Sequence, residues 1–157
     1  MLHDRLAAGF GLPWVALTLA FALHVLDEAS TGFLSIYNPT VLALRARWGW
    51  FPMPTFQFRE WLTGLIIGVV FCFALTPWAM RGARWLRPLA WVYALIMFFN
   101  GMGHTWATIA GQTVGGITFP RPAPGFYSSP FLFIGSVWLI IRLWQTRPSA
   151  MRTPVAV

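Results

Sequence analysis

The chain predicts an all-α polytopic membrane protein, a four-helix transmembrane bundle. Three observations lead there. Of its 157 residues 57% are hydrophobic and only 10% are charged, where soluble domains carry about 25% charged residues. The mean hydropathy is +0.63. Four apolar runs are each long enough to cross about 30 Å of hydrocarbon at about 1.5 Å per helical residue. They form one domain over 1–147, followed by a tail, 148–157, expected to be disordered.

The first span is expected at 13–36. Proline is tolerated at a first helical position, which suits Pro13, and Asn38-Pro39 reads as a turn that closes the helix. Arg5 ahead of the apolar run and the tripeptide Ala20-Phe21-Ala22 resemble a secretory signal. Pro13 interrupts the start of that run, however, and the apolar pattern continues past His24, so an uncleaved helix is expected. Residues 40–56 contain Trp48, Trp50, Phe51, Pro52 and Pro54, an aromatic content that suits a short amphipathic element at the interface. The second span is expected at 57–80, with Pro77 loosening its end, the third at 88–110 and the fourth at 127–144. Between the last two, the Gly- and Pro-rich stretch 111–125 is expected to form a lid or turn over one end of the bundle.

The formal net charge of +7 comes from eleven arginines and no lysine. They sit at the ends of apolar runs rather than in one patch, which argues against nucleic acid and for topology signals and headgroup contacts. With four spans, Arg5, Arg81, Arg84, Arg87, Arg142, Arg147 and Arg152 fall on one side and Arg45, Arg47, Arg59 and Arg121 on the other. That bias places both termini in the cytoplasm, with the protein in a bacterial inner membrane. The single cysteine, Cys72, excludes an internal disulfide and a cysteine-based metal motif, and reads as a small core residue.

The polar residues inside apolar segments carry the functional signal. The chain has four acidic residues, and two of them lie in Leu23-His24-Val25-Leu26-Asp27-Glu28-Ala29. An Asp at a membrane helix centre costs about 2.5 to 3.5 kcal/mol on insertion scales. Asp27 and Glu28 follow His24 at i+3 and i+4, on one helix face. Asn100 and His104 are likewise four apart. Counting about 1.5 Å per residue, His24 lies about 17 Å in from the cytoplasmic end and His104 about 24 Å along the third span. Glu60 starts the second span from the outer side. The three helices therefore bring polar groups to similar depth, in the outer half of the bundle.

Carboxylates and imidazoles projecting from facing helices can build a metal site inside a bundle. His24, Glu28 and His104 are the expected ligands for zinc or iron, with Glu60 or Asp27 as fourth ligand or as catalytic base. Asn100, Trp48 and Phe51 are the expected substrate contacts. Each residue also has a plainer reading. His24 would be a structural histidine paired with Glu28. His104 would bond Asn100 or a backbone carbonyl. Glu60 would serve the helix dipole, Asp27 would neutralise an arginine such as Arg59, and Asn100 would bond a neighbouring helix. A metal-free alternative has a protonated Glu28 donating and His24 or Glu60 accepting a proton, which suits isomerisation or hydration of a lipid double bond.

The segment His24-Val25-Leu26-Asp27-Glu28 resembles the signature of the HXXEE family of small bacterial membrane proteins, with Asp27 in place of the first glutamate. Asn100 and His104, in Phe99-Asn100-Gly101-Met102-Gly103-His104, resemble that family's later Asn-x-x-x-His helix, and Pro124-Gly125 with Tyr127 its following turn. The resemblance spans about residues 14–141 and implies the architecture and the place of the site rather than a chemistry. His24, Glu28 and Glu60 also resemble the EXPERA group, which includes the emopamil-binding sterol isomerase. That likeness implies a metal-free lipid isomerase, but the last helix here offers Trp138 and lacks the group's Asn.

These readings give three expectations: a metal-dependent membrane enzyme acting on a lipid or other apolar substrate, a metal-free isomerase, or a non-catalytic accessory subunit in which the cluster is a polar clamp. The expected partners are membrane lipids, an apolar small molecule, and a second copy or another membrane protein.

Overall fold

The computed structural model describes residues 9–146. Among them the protein is helical: α1 (Gly11–Thr31), α2 (Leu34–Trp48), α3 (Phe58–Ala74), the short α4 (Thr76–Met80), a 3-10 turn (Arg84–Leu86), α5 (Arg87–Ala110) and α6 (Ser129–Gln145). The only sheet-like pairing described is an isolated bridge between Gln112 and Thr118. The tail 148–157 lies outside the described residues.

The expected first span is divided. Gly32 adopts φ 77° and ends α1 in a left-handed cap, with Phe33 N bonded to Glu28 O at 3.1 Å, the long bond of a Schellman end. The chain then re-enters a helix and runs straight through Asn38-Pro39, expected to be a turn. Pro39 sits inside α2, where it costs one backbone hydrogen bond. Asn38 does not compete for its own backbone, because its amide grips Phe56: Nδ2 donates to Phe56 O at 2.9 Å and Oδ1 accepts from Phe56 N at 3.1 Å. The Tyr37 hydroxyl donates to Pro54 O at 3.0 Å, and Arg45 bonds Met53 O. Residues 49–57 are thus tied back along α2.

The core forms where α1 meets α3, α4 and α6, and where α5 meets α6. Trp14, Leu17, Leu132, Leu139 and Leu143 are fully buried there. The Trp14 indole donates to Cys72 O at 2.9 Å and packs on Tyr93 with ring centroids 5.2 Å apart. Gly101 brings α5 close to the start of α6: a Cβ there would lie 3.0 Å from Ser129 O. At one end of the bundle, Arg142 donates to Gly9 O at 3.2 Å and Arg87 to Thr146 Oγ1 at 3.0 Å. The start of α1, the start of α5 and the end of α6 therefore share that end, and the 111–128 segment covers the other.

Two helical stretches, Gly11–Thr31 and Phe58–Met80, are long and apolar enough to cross a membrane. The second has mean hydropathy 2.0 with only 17% of its apolar window buried, unlike a core helix of a soluble protein. α6 is apolar but shorter. α5 has the length, and the polar residues of its second half, Asn100, His104 and Thr105, lower its hydropathy.

Candidate metal centre

His24 and Glu28 stand four positions apart, about one helical turn, which places both on the buried face of α1, 1% and 4% exposed. His104 meets them from α5, its ring centroid 4.8 Å from that of His24. Glu28 Oε1 lies 3.4 Å from His24 Nε2 and 3.1 Å from His104 Nε2. The ligand atoms of the three residues all fall within 4.8 Å of one another. No other group of three His, Cys, Asp or Glu side chains converges in this way among the described residues.

The loop before α6 completes the surroundings. Gly125, at φ 81°, lies flat on the two imidazoles: a Cβ there would stand 2.8 Å from His24 Cε1 and 2.9 Å from His104 Cε1 and Nδ1. Its N–H donates to Thr31 Oγ1 at 3.3 Å, and its carbonyl accepts from Ser129 Oγ at 2.7 Å. Ser128 follows. Its backbone N–H donates to Asp27 Oδ2 at 2.8 Å, and its hydroxyl meets the same oxygen at 2.7 Å. His24 Nδ1 reaches that hydroxyl at 2.7 Å.

This chain of bonds sets the His24 tautomer. Ser128 Oγ has one proton, and its neighbours Asp27 Oδ2 and Gly125 O, the latter at 3.1 Å, are acceptors for it. Towards His24 the hydroxyl must therefore accept, so Nδ1 carries the hydrogen. In the neutral ring Nε2 then holds a lone pair, and that lone pair faces the Glu28 carboxylate. Both His24 Nε2 and Glu28 Oε1 are buried without a hydrogen-bond partner. Lone pairs opposed at this distance in a buried site repel one another unless a proton or a metal ion lies between them.

The donor set fits a metal. Two imidazole nitrogens and one carboxylate oxygen are the protein ligands of one class of catalytic zinc site and of the two-histidine, one-carboxylate iron site. With metal–ligand distances of about 2.0–2.2 Å, neighbouring tetrahedral ligands lie about 3.4 Å apart. The two edges through Glu28 already have that length, so only the span between the histidines needs to close. A metal-ligating histidine commonly donates its other ring N–H to a fixed acceptor, as His24 does to Ser128.

The other expected site residues are placed differently. Asp27 does not join the ligands; its carboxylate is taken up by Ser128. Glu60 is not brought to the cluster. It closes a capping box at the start of α3, accepting from Gln57 N at 3.3 Å, because an exposed carboxylate in a first turn satisfies free backbone donors. Trp48 and Phe51 pack on each other, ring centroids 6.1 Å apart, at the far end of α2. Neither lines the cavity beside His104, whereas Asn100 does. Ser128, Gly125 and Thr31 were not expected as parts of the site. The signal available for them was the Pro-Gly turn followed by Ser-Ser-Pro, a turn leading into a helix start.

Compared with protein-family profiles, with curated proteins and with solved structures, the chain gives no match.

Proposed function

We propose that the chain is a four-span integral membrane protein whose His24, Glu28 and His104 hold one zinc or iron ion, and that it is an enzyme acting on an apolar substrate. The observation that carries this is the convergence of His24 Nε2, Glu28 Oε1 and His104 Nε2 in one buried site, with His24 Nδ1 already engaged by Ser128 Oγ. A bound divalent ion supplies Lewis acidity, polarising an oxygen of the substrate. The chain's own residues do the remaining work. Ser128 and Asp27 hold the His24 ring in register, Gly125 covers both imidazoles, and the apolar helices keep water from the carboxylate. The HXXEE resemblance agrees with the position of the site.

The membrane setting rests on the exposed apolar surface. Ile66, Ile67, Val70 and Phe71 on α3 are each at least half exposed, and soluble monomers rarely show contiguous apolar patches above a few hundred Å². The arginines of the α5 start and the α6 end share one end of the bundle, which under the positive-inside rule supports reading that end as the cytoplasmic one, in a bacterial inner membrane.

Elemental analysis of the purified protein tests the reading. About one zinc or iron per chain, lost in both His24→Ala and His104→Ala, supports it; a metal-free wild type overturns it. A metal-free wild type would leave a His–Glu–His proton-sharing centre, favoured by the 3.1 Å approach of His104 Nε2 to Glu28. In that case the EXPERA-like isomerase and the accessory clamp become the readings to separate by ligand binding and partner capture.

A further inference from the structure

Beside the triad lies a cavity of about 340 Å³, within the range of about 300–1,000 Å³ usual for small-molecule sites. It is an open cleft bordered by α2, by the Asn100–His104 face of α5 and by the hairpin and loop around 112–124. No arginine, aspartate or glutamate lines it, so its wall offers no fixed charge that would favour a charged ligand over a neutral one. Its wall is mainly apolar and includes the aromatic side chains of Phe33, Tyr37 and Trp106. The wall's hydroxyls are engaged within the protein: Tyr37 donates to Pro54 O, and Thr40 Oγ1 lies 2.7 Å from Ile36 O and 2.9 Å from Thr113 Oγ1. Asn100 differs. Its Oδ1 is buried with no hydrogen-bond partner, a state that costs free energy; the broad terminal torsion of an Asn amide lets this oxygen turn to the cavity that Asn100 lines, where a ligand donor would return that cost. Phe99 and Trp106, on the outer side of α5, are 65% and 67% exposed and give the cavity an apolar approach.

We propose that this cavity binds a neutral, largely apolar alcohol drawn from the bilayer, its hydroxyl donating to Asn100 Oδ1 and its body filling the aromatic wall. This names the substrate class of the centre described above and rests on that reading for its chemical consequence: Asn100 and His104 are one helical turn, about 6 Å, apart, so a molecule held at Asn100 lies alongside a metal ligand. The binding itself needs no metal.

The test is competition for tritium-labelled 1-dodecanol bound to the full chain in lipid nanodiscs, by unlabelled 1-dodecanol and by its methyl ether, which has lost the donor. The alcohol is expected to compete about ten-fold better, the usual effect of leaving one buried acceptor unpaired. Asn100→Leu, close in volume, should bring that ratio near one. Gly103→Leu should abolish saturable binding without lowering the melting temperature, since Gly103 lines the cavity and a Cβ there meets nothing within 4 Å. Equal competition by alcohol and ether in the wild type, or wild-type binding in Gly103→Leu, overturns the proposal. A preference that disappears when the metal is stripped with chelator also overturns it, since Asn100 would not be its source. A wild type that carries no metal yet still prefers the alcohol upholds the cavity assignment and defeats the metal reading alone.

Discussion

Replacing Ser128 with alanine tests the link between the lid and the proposed metal centre. The substitution removes two short contacts at once, His24 Nδ1 to Ser128 Oγ and Ser128 Oγ to Asp27 Oδ2, each 2.7 Å. It leaves Ser128 N bonded to Asp27 at 2.8 Å and Ser129 Oγ bonded to Gly125 O at 2.7 Å, so the lid stays attached. The buried Nδ1–H of His24 then has no acceptor, a loss of about 1–3 kcal/mol, and nothing holds Nε2 as the lone-pair nitrogen facing Glu28. Loss of such an outer partner typically weakens metal binding about 10–100-fold, or about 1.4–2.8 kcal/mol at 1.4 kcal/mol per decade. Titration with a chromophoric chelator of known affinity measures this directly. Ser128→Ala should release metal at chelator concentrations one to two decades lower than the wild type, and Ser128→Thr, which keeps the hydroxyl, should restore most of the difference. Wild-type affinity in Ser128→Ala would refute the argument that this hydroxyl sets the His24 tautomer.

Other substitutions separate the roles of neighbouring residues. Gly125→Ala places a Cβ within 3 Å of both imidazoles at a positive φ, adding about 1–2 kcal/mol of backbone cost; it should lower the melting temperature and the metal content together, and an unchanged metal content would show that the lid does not bear on the ligands. Glu60→Ala should cost about 1 kcal/mol through the lost cap while metal content stays at the wild-type level, and loss of metal would return Glu60 to the centre. Single cysteines at Val114 and Thr146, in a Cys72→Ala background, should label from opposite sides of the membrane, Val114 from outside intact cells and Thr146 only after permeabilisation; labelling of both from outside would break the four-span arrangement.

The sequence showed much of this and missed particular parts for physical reasons. Apolar runs marked the long helices because the apolar content of a helix is a property of that helix by itself. That His24, Glu28 and His104 come to one level along their helices was readable because helix rise is fixed, and that His24 and Glu28 share a face because i and i+4 positions overlap. Whether those faces turn towards each other depends on packing, here on Gly101 admitting α6 and on Gly125 lying across the rings. Asn38-Pro39 read as a turn because the partner that occupies the Asn38 amide, Phe56, is supplied by the returning chain. Ser128 was hidden for the same reason, its bonds to Asp27 crossing 101 residues of sequence. Glu60 was expected at the level of the cluster but is spent at its own helix start, a competition between a local and a distant partner that counting along a helix does not decide.

The central claim is that three side chains from two helices close on one ion. X-ray absorption at the zinc or iron edge of the purified protein, beside His104→Ala, tests it most directly. The account predicts a first shell of nitrogen and oxygen at about 2.0–2.2 Å with imidazole scattering and no sulfur, reduced by one imidazole or lost in His104→Ala. A sulfur-containing shell, or one that His104→Ala leaves unchanged, would contradict it.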